Sequence, residues 1–249
     1  MNGVRLAVSW LTVVPVRGPE VVDRGVARWA IGVAPVVGVG LGLIASGVMW
    51  GLSAVGVGFS LAGLLAVGVL ALGTRGMHVD GLADTADGLG SYGSAERARE
   101  IMKSGGVGPF GVAALIFAIG GQALAFAALA EHGRWFAVVL AVATGRVAVV
   151  LACRRGIAAA PGAGFGSLVA GTQPRFVPAA WIAVALAASP LTTADHRWLG
   201  PIAVAVALTA TWLFVNHCVR RFGGLNGDVL GAAVELTVTV TAVVASLVP

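Results

Sequence analysis

Charged side chains are scarce in this chain: they make up 11% of its 249 residues, and only eleven residues are acidic. A soluble domain usually carries about 25% charged residues, so an ordinary soluble fold is excluded. Cysteine is nearly absent. Cys153 and Cys218 stand alone at the ends of apolar segments, with no metal-binding spacing, and read as buried, inert thiols. No polar linker divides the chain, so residues 1–249 form a single domain. No tandem repeat and no low-complexity tail is present. No basic run is interleaved with aromatics, so the net charge of +5 does not indicate a nucleic-acid partner. The N-terminus lacks a secretory signal pattern: Pro15 breaks its apolar run, and Arg17 follows with no small-residue cleavage site.

What is abundant is apolar. Hydrophobic residues make up 58% of the chain and the mean hydropathy is +0.93. A hydrocarbon layer of ~30 Å needs about 20 apolar residues in helix. Seven segments meet this length, at roughly 29–51, 55–74, 108–130, 135–153, 176–194, 198–215 and 229–248. The expected fold is therefore an all-α, polytopic integral-membrane bundle of about seven transmembrane helices. Val4 to Val16 is too short to span and is expected to be interfacial or re-entrant. Thirty-seven glycines lie within the apolar runs, where small residues let helices approach closely in lipid. With the N-terminus in the cytoplasm, only Arg134 and Arg197 fall on the far side and Arg146 within a span. The other Lys and Arg residues face the cytoplasm, as the positive-inside rule requires.

The polar motifs then gather on that side. Asp80, Asp84 and Asp87 follow the second span at i, i+4 and i+7, within about 60° of one another on a helix. Like charges so placed repel, and hard carboxylate oxygens suit Mg²⁺ or Mn²⁺ holding substrate phosphates. The plainer alternative is a solvated acidic loop. His78 stands to orient a carboxylate or to touch phosphate, although a lone histidine is more often structural. Ser94 reads as the N-cap of a short helix ending near Lys103.

Three further constellations stand out. Gly223-Gly224-Leu225-Asn226-Gly227-Asp228 precedes the last span, with Glu235 seven residues after Asp228 and inside the apolar run. An ionisable group there is a functional candidate, while Asp228 alone also suits a helix N-terminus. Arg146 lies within the fourth span and needs a partner, either Glu235 or a substrate phosphate, which guanidinium binds in bidentate fashion. Arg154 and Arg155, before the glycine-rich Pro161 to Gly166, read equally as a membrane anchor or as phosphate ligands.

Thr74 to Gly88 resembles the signature of the cobalamin synthase family, the integral-membrane adenosylcobinamide-GDP ribazoletransferases. The resemblance continues through Glu96-Arg97, Ile101-Met102-Lys103, Val107-Gly108-Pro109-Phe110-Gly111, Gly145-Arg146, Gly164-Phe165-Gly166 and Gly223 to Glu235, with Leu11 to Val16 similar to the family's opening. It implies transfer of the adenosylcobinamide phosphoryl group to alpha-ribazole or alpha-ribazole phosphate, with loss of GMP, at the cell membrane with the active site facing the cytoplasm. It implies Mg²⁺ (Mn²⁺ as a substitute) on Asp80, Asp84 and Asp87. Asp84, Asp87 and Arg146 would be catalytic, one aspartate taking the hydroxyl proton. His78, Lys103, Arg154, Arg155, Asn226 and Asp228 would contact substrate. Homo-oligomerisation or association with other cobalamin-assembly enzymes is left open. The chain departs from the family pattern at Val13, Ser104-Gly105-Gly106, Ala160-Pro161-Gly162 and Asn226.

Two other readings compete. A CDP-alcohol phosphotransferase also clusters aspartates in a membrane, but Asp84 stands where that family has arginine. A small cation transporter would place its carboxylates near the midplane in repeated halves, which this sequence does not do.

Overall fold

The computed structural model describes residues 2–247, and Val248, the expected last residue of the final span, lies outside them. All seven apolar segments are helical. The helices are α1 (Asn2–Leu11), α2 (Arg24–Gly32), α3 (Ala34–Ala54), α4 (Phe59–Gly73), α5 (Met77–Gly90), α6 (Ala95–Met102), α7 (Pro109–Glu131), α8 (Trp135–Ala152), α9 (Phe165–Val169), α10 (Phe176–Ala188), α11 (Leu199–Phe222) and α12 (Gly227–Ala245). No strand forms among the described residues; two isolated bridges, Arg154 to Gln173 and Ala159 to Leu225, tie loops together.

Five of these helices, α3, α7, α8, α11 and α12, are long and apolar enough to cross a membrane. The other two expected spans are shorter. Pro190, which lacks an amide hydrogen, ends the α-helical part of α10 and leaves a 3₁₀ turn over Ser189–Thr192. The chain is a multi-pass membrane protein. Its central helices are α8 and α12, with 78% and 67% of their apolar windows buried, against 28% for α3. Leu43, Ile44, Ile116, Phe117 and Leu213 point outward from the surrounding helices. Small residues let the helices meet closely, as expected: a Cβ on Gly42 would lie 2.8 Å from the backbone of Val139 in α8.

Two features shape the end of the bundle where α7 and α12 begin. At the end of α4, Arg75 (φ 57°) and Gly76 (φ 68°) both enter the left-handed region. The Gly76 amide donates back to Ala71 O at 2.7 Å, and α5 leaves at 92° to α4. Helix α5 thus turns away from the line of α4 and lies against the starts of α7 and α12. The N-terminal segment, expected to be interfacial or re-entrant, is the ten-residue α1. It buries Leu6, Ala7 and Leu11 against Ala30 and Ala34 of α2 and α3.

Three of the arginines that gave the charge asymmetry clip this end together. Arg99 donates to Phe222 O at 2.7 Å, Arg221 to Ser91 O at 3.0 Å, and Arg24 to Ala170 O at 2.7 Å and to Ser167 O.

Candidate active site

Helix α5 carries the three aspartates on one face, but it is wedged between α7 and α12, and their surroundings differ. Asp80 is exposed, Asp84 half-buried and Asp87 buried. Asp87 accepts from Gly108 N at 2.7 Å and from Gly111 N at 2.9 Å. Both its oxygens are thus engaged by free amides in the first turn of α7, where a carboxylate also meets the positive end of the helix dipole. Of the three aspartates expected to hold metal, Asp87 is the one whose oxygens both accept from protein amides. Asp87 anchors α7, and the carboxylate that joins Asp80 and Asp84 is Asp228.

The α5–α12 seam is very tight. A Cβ on Gly81 would lie 2.7 Å from Asp228 O and 2.9 Å from its Cα, and one on Gly231 would lie 3.0 Å from Met77 O. This mutual approach brings Asp80, Asp84 and Asp228 close enough for their charges to repel. Burial, then Asp80, then Asp228 and Asp87, push the Asp84 carboxyl up to about 6. The single ion pair among the described residues, Arg97 with Glu100, lies elsewhere, on the surface of α6. Lys103 offsets part of this charge at Asp228 without forming an ion pair with it. As placed, no three His, Cys, Asp or Glu side chains among the described residues are grouped to hold an ion. A cation here would draw on fewer protein oxygens and complete its shell with water and phosphate, the usual habit of Mg²⁺.

Loop motifs far apart in sequence complete the site. Asn226 caps α12 by accepting from Val229 N at 2.9 Å, and its Nδ2 donates to Asp228 Oδ2 at 3.3 Å. The Gly223–Gly227 loop is pinned to the preceding glycine-rich loop by Leu225 N donating to Ala158 O and Ala160 N donating to Leu225 O. Lys103 reaches that loop from the end of α6, donating to Gly162 O at 3.2 Å.

Two cavities open on either side of Asp228. The first, about 310 Å³, is bounded by His78, Asp80 and Asp228 and walled by Trp10, Leu11, Ile31, Val149 and Phe165. The second, about 240 Å³, is bounded by Arg99, Lys103, Pro161 to Ala163 and Asn226. Phe165, Gly227 and Asp228 line both.

Arg146 is buried behind this site. Its Nη2 donates to His78 Nδ1 at 3.4 Å, which requires a neutral ring with its proton on Nε2. Its Nε has no partner. Glu235 instead accepts from Gln122 Nε2 at 2.7 Å, so of the two partners considered for Arg146, Glu235 makes no direct ion pair with it. Arg146, expected among the catalytic residues, thus reaches the site through His78. Arg154 donates to Asn216 Oδ1 and to Leu151 O, Arg155 is exposed, and neither lines the two cavities. The structure thus gathers His78, Asp80, Asp84, Lys103, Asn226 and Asp228, and leaves Arg154 and Arg155 apart. Sequence reasoning missed Trp10, Ile31 and Arg99, because a lone aromatic in a short apolar segment carries no mark of lining a cavity.

Comparison with known proteins gives a consistent answer. The family model for cobalamin-5-phosphate synthase matches residues 3–246. A relative from Frankia casuarinae is 35% identical, covering 98% of this chain and 94% of its own length. One from Corynebacterium efficiens is 37% identical, covering 97% and 90%. One from Nocardioides sp. is 38% identical, covering 95% of each. All three are named adenosylcobinamide-GDP ribazoletransferase. No solved structure matches the chain.

Proposed function

The chain belongs to the cobalamin-5-phosphate synthase family, and on that premise we propose that it transfers the adenosylcobinamide phosphoryl group from adenosylcobinamide-GDP to alpha-ribazole or alpha-ribazole phosphate. A hydroxyl oxygen of the acceptor bonds to the cobinamide-bearing phosphorus. The bond from that phosphorus to the bridging oxygen breaks, and GMP leaves with it. The observation that carries this reading is the tight α5–α12 seam that brings Asp80 and Asp84 up to Asp228, the carboxylate that lines both of two adjoining cavities. Two substrates held in separate cavities would meet at that carboxylate, and holding them there supplies much of the rate.

Mg²⁺ fits this seam on charge, because three mutually repelling carboxylates are relieved by a divalent cation. Asp80 and Asp84 are the residues that would hold it, with the substrate diphosphate, and it would neutralise charge on the leaving GMP. Asp87 is not among them, since both its oxygens are engaged by α7. Asp228, present in both cavities, takes the proton from the attacking hydroxyl. Lys103 and Arg99 bring positive charge to phosphate from the second cavity. The enzyme works in the cell membrane with this end of the bundle toward the cytoplasm, where the substrates are charged and water-soluble.

The test is GMP release by the detergent-purified protein. Release requires both adenosylcobinamide-GDP and alpha-ribazole phosphate, proceeds in Mg²⁺ and stops in EDTA. Equal GMP release without the acceptor would make the protein a hydrolase and contradict the proposal.

A further inference from the structure

We infer that the two cavities are separate substrate subsites: the Trp10–Phe165 cavity seats the flat base of an apolar aromatic nucleoside, and the Arg99–Lys103 cavity seats the guanosine phosphate end of the donor. This rests on the transferase reading above and assigns its two substrates to places.

Charge decides the assignment first. The Trp10–Phe165 cavity contains no Lys or Arg, and of its two carboxylates only Asp80 is its own, since Asp228 lines both cavities. A phosphate there would meet no cationic side chain. The second cavity has two cations, Arg99 and Lys103, and a glycine-rich rim. Lys103 makes one hydrogen bond to protein, with Gly162 O, and its ammonium has three donors, so it can serve a phosphate.

Shape and polarity give the same answer. The rings of Trp10 and Phe165 pack edge to face, with centroids 4.7 Å apart and planes at 69°. Leu11 and Ile31 add aliphatic wall. Such surfaces suit a planar base with few polar groups, since stacking needs only a π-face. At about 310 Å³ the cavity lies at the lower end of the ~300–1,000 Å³ range of ligand pockets. That is enough for a nucleoside and too small for a corrin macrocycle.

The shared wall explains how the two meet. A base seated against Trp10 leaves its sugar toward Asp228, the carboxylate common to both cavities. Specificity for the acceptor is therefore set partly by α1, the N-terminal helix, which otherwise has only a packing role against α2 and α3.

Binding measured without turnover tests this. Calorimetry with alpha-ribazole alone, and separately with GMP alone, is run on the wild-type protein and on Trp10→Leu, Trp10→Phe and Lys103→Gln. Trp10→Leu keeps the wall apolar but removes the large ring. It is expected to weaken alpha-ribazole ~10-fold or more, within the loss a lost stacking contact produces, and to leave GMP unchanged. Trp10→Phe restores most of the affinity. Lys103→Gln does the reverse, weakening GMP alone. The assignment is overturned if alpha-ribazole does not bind the wild type, if Trp10→Leu leaves its affinity intact, or if the two ligands compete. Should the binding pattern hold while the wild type releases no GMP with both substrates, the subsites stand and the transferase reading fails.

Discussion

Asp84→Asn is expected to lose about 10³-fold in GMP release while raising the apparent unfolding temperature of the metal-free protein. The loss follows from charge. Neutralising phosphoryl-transfer charge supplies several kcal/mol of transition-state stabilisation, and each 1.36 kcal/mol is tenfold in rate. The gain in stability has the opposite origin. In the folded protein the Asp84 carboxyl is pushed up to about 6 by burial and by its acidic neighbours, so its ionised form opposes folding. An amide of the same shape removes that repulsion, worth about 1 kcal/mol once discounted for partial exposure to water. Because the folded value is raised, the ordinary carboxyl stabilises the fold below about pH 4, where it is protonated in both states, and loses that contribution as the pH rises through about 6. The variant's advantage is therefore largest at pH 8 and absent near pH 4. Differential scanning at the two pH values checks this. An activity loss accompanied by a lowered unfolding temperature would instead make Asp84 a structural residue.

Gly81→Ala is expected to reduce turnover by about 10²-fold without touching a charged group. The new methyl would meet Asp228 backbone atoms at 2.7 and 2.9 Å. Backbone cannot swing aside as a long side chain can, so α5 must back away from α12. Overpacking of this kind costs about 1–3 kcal/mol, and misplacing catalytic groups by ~1 Å costs about 10²-fold in rate. Gly68→Ala in α4 is the control: nothing lies within 4 Å of the added methyl, and it should be neutral. Equal behaviour of the two variants would show that the seam is not critical.

Several of these arrangements were visible in the sequence and others were not. The apolar segments were legible because lipid imposes a length: all seven are largely helical, and five hold helices long enough to span. The Ser94 cap was legible because capping is local, and its hydroxyl accepts from Arg97 N. The turn that sets α5 at 92° was not, because Arg75 in the left-handed region has no sequence marker beyond the glycine after it. The spacing of Asp80, Asp84 and Asp87 revealed a shared face. It could not reveal that Gly108 and Gly111 would engage both oxygens of Asp87, since that depends on where α7 begins. Asp228 stood out as a candidate, but only the close approach of Gly81 to Asp228, and of Gly231 to Met77 and His78, places it beside α5. Arg154 read equally as a membrane anchor or a phosphate ligand, because sequence does not show the partner it has here, Asn216 from α11.

The central claim is that Asp84 on α5 and Asp228 on α12 act as one site. The measurement is GMP release under single-turnover conditions for Asp84→Asn, Asp228→Asn and the double variant. Groups that act as a unit are strongly non-additive, so the double variant is predicted to be about as slow as the slower single variant. A double variant whose loss equals the product of the two single losses would show two independent residues, and would contradict the account.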